Sequence, residues 1–141
     1  MSVCTFFGHK DTPNEIEPLL RAALIDLIEN REVSLFYVGN QGNFDRMVRR
    51  LLKELKENYS QVDYAVVLPY LPEKFDLRQD YSDTLYPLEG VPPKFAIDRR
   101  NYWMIERADY VIAYAWKPWG GAAKFKNIAE KKGLQVINLA V

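Results

Sequence analysis

One cysteine and one histidine are the whole supply of those two side chains in 141 residues. Cys4 alone excludes an internal disulfide and fits a reducing compartment, so the cytoplasm is the expected location. One His and one Cys cannot build a metal cluster, and neither a metal nor another cofactor is expected. Ser–His or Cys–His catalysis finds no nucleophile elbow and no second histidine. Neither sign of charge is in excess, because 19 Lys+Arg are matched by 19 Asp+Glu. Proteins that live on nucleic-acid phosphates usually show a basic surplus or stripe, so nucleic acid is disfavoured as a partner. No apolar run reaches the roughly 20 residues that span a bilayer, and the N-terminus lacks a basic-then-apolar signal pattern, so no membrane association is expected. No G-x-x-x-x-G-K-[ST] occurs, which leaves ordinary P-loop phosphoryl transfer without support.

What is present suits one globular domain over residues 1–141. A chain of this length buries roughly 68–70% of its unfolded surface, and 48% hydrophobic residues support a full core. Val3 to Phe7 reads as a short apolar strand stopped by Gly8-His9-Lys10-Asp11, with Cys4 as a core thiol. A helix follows with Ile16, Leu19, Leu20, Ala23, Leu24, Leu27 and Ile28 inward. Thr12-Pro13-Asn14-Glu15 matches a capping box, but Pro18 belongs in a first turn, which places the start near Glu17. Ser34 to Val38 is a second strand. A second helix then turns Phe44, Met47, Val48, Leu51, Leu52 and Leu55 inward, with Arg49, Arg50, Lys53, Glu54, Lys56 and Glu57 forming a solvated face. Val62 to Leu68 is the third strand. Residues 69–93 break the rhythm with five prolines, and their aromatics (Tyr70, Phe75, Tyr81, Tyr86) favour an ordered lid. A third helix carries Ile97, Met104, Ile105 and Ala108 inward. The fourth strand is Tyr110 to Ala115, a fourth helix runs to about Lys132, and Gln135 to Leu139 closes the chain.

Strand–helix alternation five times over predicts an α/β fold: a doubly wound, mostly parallel five-stranded sheet, order 3-2-1-4-5, with helices on both faces. Ligands of such sheets bind beyond the carboxyl ends of the strands, where the winding reverses. Three loops converge there: Gly8 to Asp11, Gly39 to Asp45, and Trp116 to Gly121. Gly120-Gly121, between a buried strand and a helix, aims backbone N–H groups at the positive end of a helix dipole, a physical anion site suited to phosphate. Gly39 and Gly42 suit close approach to a ligand, and Asn40 and Gln41 supply amides suited to a sugar or base edge. The turn is not G-x-G-x-x-G and lacks the following acidic residue that holds an NAD ribose, which disfavours a nicotinamide enzyme. His9 can donate to a phosphate or titrate near neutral pH, with Lys10 beside it as a weaker candidate. Arg100 borders the buried face of the third helix in its early part, with Asp98 as an available partner for the Arg99-Arg100 pair. Trp116 and Trp119 offer flat surfaces for stacking a base.

The stretch from Arg100 to Lys124, R-N-Y-W-M-I-E-R-A-D-Y-V-I-A-Y-A-W-K-P-W-G-G-A-A-K, resembles the SLOG superfamily of Rossmann-like domains, which includes LOG-type phosphoribohydrolases and DprA and YpsA relatives. In that resemblance Arg100 falls on the family arginine, Asn101 on its lysine, Met104 on its methionine and Gly120-Gly121 on its glycine pair. F-F-G-H-K-D and F-Y-V-G-N-Q-G-N-F-D look closer to the YpsA-like branch. The chain departs from the family at Trp119 for proline, Ala123 for glycine, Lys124 for threonine, and Asn127 for the catalytic glutamate. An amide cannot transfer the proton that general acid–base chemistry requires, which leaves Asp11, Asp45 and Asp98 as carboxylates that could substitute. The resemblance therefore implies binding of a nucleotide-derived phosphorylated small molecule, with Arg100 neutralising charge. Its enzyme alternative is LOG-like cleavage of a nucleoside 5′-monophosphate N-glycosidic bond, and its third, least favoured alternative is DprA-like single-strand nucleic-acid binding. Relatives of this type self-associate, so a homo-oligomer is a further expectation, although no face of the sequence declares itself.

Overall fold

The computed structural model describes residues 2–71 and 81–140. Parallel strands occupy the middle: β1 (Ser2–Gly8), β2 (Val33–Val38), β3 (Asp63–Val67), β4 (Thr84–Leu85), β5 (Tyr110–Tyr114) and β6 (Gln135–Asn138). The helices between them are α1 (Glu17–Asn30), α2 (Gly42–Asn58), α3 (Pro93–Arg107) and α4 (Gly121–Lys131). Among the described residues the sheet runs β4-β3-β2-β1-β5-β6, so the expected five strands are corrected to six. The additional strand comes out of the proline-rich segment: Val66 N–H donates to Asp83 O at 2.7 Å and Leu68 N–H to Leu85 O at 2.8 Å. Proline is excluded from a central strand but not from the flanks of a two-residue edge strand, and that is how the chain uses it. Pro72 and Phe75 lie outside the described residues. Residues 72–80 of the expected lid likewise lie outside them.

The two faces of the sheet carry separate cores. Phe6, Phe36, Val38 and Ile112 pack with α1 and α2 on one side, and Phe7, Val111, Ala113 and Val67 pack with α3 and α4 on the other. Strands covered on both faces need apolar residues at successive positions, which is why β5 reads as a run rather than an alternation. Every expected inward residue of α2 is buried. In α1 the apolar stripe is narrower than expected, with Leu19 56% exposed, and in α3 Ile97 is 37% exposed and turned to a cavity wall instead of the core. The capping box does not form. Thr12 Oγ1 donates to His9 O at 2.6 Å, a short 3-10 turn (Asn14–Ile16) follows, and α1 starts at Glu17 with Pro18 in its first turn. Among the described residues no helix is long and apolar enough to cross a membrane.

Gly8 at the end of β1 is required by packing. A Cβ there would stand 2.1 Å from the ring of Phe44, which is itself fully buried and cannot move aside. Gly8→Ala is therefore expected to cost about 1–3 kcal/mol by overpacking, read as a lower urea midpoint with unchanged slope. Gly121→Ala, where a Cβ meets nothing within 4 Å, leaves the midpoint in place in the same measurement.

Candidate functional site

A cavity of about 520 Å³ opens at the carboxyl ends of β1, β2 and β5. The winding of the sheet reverses between β1 and β5, the place where open α/β sheets leave room between diverging loops. Phe6 to Asp11 form one wall, Gly39, Gln41 and Asp45 a second, and Ile97, Arg100, Asn101 and Met104 of α3 a third. Lys117, Gly121 and Ala122 complete it.

The three loops are tied to one another by hydrogen bonds. Lys117 N–H donates to His9 Nε2 at 3.3 Å, joining the loop after β5 to the loop after β1. The former is also clamped at Ala115, whose N–H and C=O both bond the Asn138 side chain, at 3.1 and 3.2 Å. The loop after β2 joins through Asn43, whose N–H donates to Lys10 O at 2.9 Å and whose side chain donates to Thr12 O at 2.6 Å. Gly42 makes that approach possible. Its φ is +85°, and a Cβ would lie 2.6 Å from Lys10 Cα.

Among the described residues Arg100 is the one buried cation, with 2% of its surface exposed. Nη1 donates to Val67 O at 2.9 Å and to Asn40 Oδ1 at 3.2 Å, and Nε donates to Asn101 Oδ1 at 2.8 Å. Nη2 makes no hydrogen bond to the described residues and is not sealed off, so it remains available to the cavity. Burial lowers the guanidinium pKa, with the Asp45 charge opposing that shift, although an arginine stays protonated throughout the physiological range. Asp45, in the first turn of α2, is also buried, and its Oδ2 accepts Gln41 N–H at 2.9 Å. Desolvation raises its pKa from 3.8 to about 6, against the opposing pull of that hydrogen bond and of Arg100. Gly39 lies between the pair. A Cβ there would be 2.6 Å from Asp45 Oδ2 and 3.1 Å from Arg100 Nη1, so only glycine lets both side chains converge.

At the opposite wall Gly120 precedes α4 as its N-cap with a φ of +93° that demands glycine, and no side chain caps the helix. Its first turn holds no acidic residue, so the leading N–H groups and the positive end of the helix dipole face a cavity that Gly121 and Ala122 line.

Of the residues expected from sequence, Gly8, His9, Gly39, Gln41, Arg100 and Gly121 line this cavity. Asn40 acts one step back, orienting Arg100, while Gly42 and Gly120 shape the backbone. Trp116 and Trp119 do not line it. They stand 57% and 67% exposed, Trp116 edge-on to the His9 ring. The expected proton-donating His9 is also revised at one nitrogen: Nε2 is an acceptor, which puts the neutral ring's proton on Nδ1. Desolvation, then the Lys117 charge, lowers its pKa. Arg100 lies two turns into α3, not near its N-terminus, and Asp98 pairs with Lys124 at 2.8 Å instead. Lys117 and Asn101 are wall residues that the sequence did not single out as ligand contacts. Asn127 is exposed on α4 and outside the lining.

These two shifted groups set opposite pH dependences. The folded chain holds the Asp45 proton more tightly than the unfolded chain does. That contribution to stability is complete below about pH 4 and is lost as pH rises through 6, by roughly 3 kcal/mol. His9 resists protonation when folded, so its contribution is lost as pH falls below 6.5. Urea melts of Asp45→Asn are expected to lack the loss between pH 4 and pH 7 that the parent shows, and His9→Gln to lack the loss on the acid side of 6.5.

No family model matches this chain and no curated protein matches it in sequence, so the cavity is read from its own chemistry.

Proposed function

We propose that the chain binds a nucleotide, or a phosphorylated molecule derived from one, at the carboxyl edge of the sheet. The observation that carries this reading is Arg100. A guanidinium taken almost wholly out of water is costly unless an anion meets it, and its direct hydrogen-bond acceptors are two amide oxygens and a backbone carbonyl. A phosphate oxygen reaching Nη2 would supply the missing partner through a charge-assisted hydrogen bond. The uncapped start of α4 in the same cavity supports an anion as well. The volume lies within the roughly 300–1,000 Å³ of small-molecule sites and suits a mononucleotide. Gln41 and Asn101 add amides for a sugar or base edge. The resemblance of residues 100–124 to SLOG domains agrees with the same ligand class. Binding is favoured over glycosidic hydrolysis because the position of the family glutamate holds Asn127, which does not reach the cavity.

Isothermal titration with nucleoside 5′-monophosphates tests the reading, and binding is expected. Arg100→Ala removes a charge-assisted interaction of about 1.5–3 kcal/mol and should weaken affinity roughly 10- to 100-fold. Undiminished affinity in that variant overturns the reading. Gly121→Val places a side chain in open cavity space and should abolish binding while the circular dichroism spectrum stays that of the parent. Release of free base from the same nucleotides, lost in Arg100→Ala, would replace binding by hydrolysis.

A further inference from the structure

Asp45 is the buried acid of the cavity, and its position invites a contact that the anion reading alone does not explain. It and Arg100 converge on Gly39 from two different helices, yet no ion pair joins them among the described residues. Oδ2 is occupied by Gln41 N–H, whereas Oδ1 makes no hydrogen bond to the described residues and is not sealed from the cavity. Gly39 thus separates a guanidinium from a carboxyl group in the cavity walls, with Arg100 Nη1 and Asp45 Oδ2 as the near atoms. An anionic oxygen reaching Arg100 from the cavity meets attraction from the guanidinium and repulsion from a charged Asp45.

Resting on the anion-binding reading above, we propose that Asp45 is a ligand-binding residue of this cavity and that it binds as the carboxylic acid, donating its O–H to an oxygen of the anion that Arg100 holds. Protonation removes the repulsion and turns an acceptor into a donor, so one group changes from obstacle to ligand. Burial already holds the Asp45 pKa at about 6, and an anion drawn against Arg100 cancels the charge that keeps Asp45 ionised. Ligand and proton therefore bind cooperatively and reciprocally. The other charged or titratable groups lining the cavity are His9, Lys10 and Asp11 after β1 and Lys117 after β5. Lys117 Nζ and Asp11 stand 3.6 Å apart, and His9 has its pKa lowered, so between pH 7 and 8 Asp45 is the group positioned to take the proton.

Sulfate is the informative probe, because unlike a phosphate monoester it does not titrate between pH 5.5 and 8. Titration calorimetry of the whole protein with sulfate at pH 7.5, in two buffers of different ionisation heat, should show close to one proton taken up per anion bound. Affinity should fall about tenfold per pH unit between pH 7 and 8. In Asp45→Asn the uptake should vanish and the pH dependence flatten. Sulfate binding to the wild-type protein without proton uptake overturns the proposal and leaves the anion site standing. An unchanged pH slope in a folded Asp45→Asn overturns it too and transfers the proton to His9. Failure of both sulfate and nucleoside monophosphates to bind at any pH removes the anion site and the proposal together. The wild-type proton count needs no variant, so a poorly folding Asp45→Asn leaves the decision intact.

Discussion

A guanidinium removed from water keeps its charge, and the geometry around the cavity follows from that constraint. Arg100 is held by the last carbonyl of β3, by Asn40 from the loop after β2 and by its own neighbour Asn101. Three pieces of chain distant in sequence are thereby fixed around one cation. Because every oxygen it touches is neutral, the electrostatic demand of the buried charge is met only in part, by Asp45 across Gly39. That incomplete compensation is what the proposed anion would complete.

Preorganisation supplies the second half. The loops after β1, β2 and β5 are not independent, since His9, Asn43 and Asn138 each bond a backbone group in a different segment. A ligand entering such a rim finds its walls already ordered and loses less affinity to ordering them. The histidine illustrates the trade. By accepting Lys117 N–H it gives up one nitrogen as a possible donor and becomes a fastener between the two central strand ends.

Much of this was legible in the chain itself. Apolar runs at β1, β2, β3, β5 and β6, and the period of α2, depend on short-range sequence, and their bounds fall within a residue or two of expectation. Glycines and Arg100 stood out because a missing side chain or a cation beside an apolar stripe has few uses. Leu19 and Ile97 were misjudged because periodicity locates a stripe without giving its width, which the neighbouring element decides. The tryptophans, read from sequence as stacking surfaces, stand exposed outside the cavity lining, a direction that aromatic character alone does not give. β4 escaped notice because two residues carry no period at all. Asp45 was visible only as one carboxylate among three, since sequence does not show which acidic side chain the fold buries.

That two-residue strand has an effect beyond its size. A row of open amides and carbonyls along β3 would present a template on which another chain could extend the sheet. β4 occupies part of that row and then leaves it, and Arg49 pins its entry through Asp83 at 3.3 Å. Among the described residues the sheet thus ends on this side in a stub too brief for register to propagate, a guard against edge-to-edge aggregation.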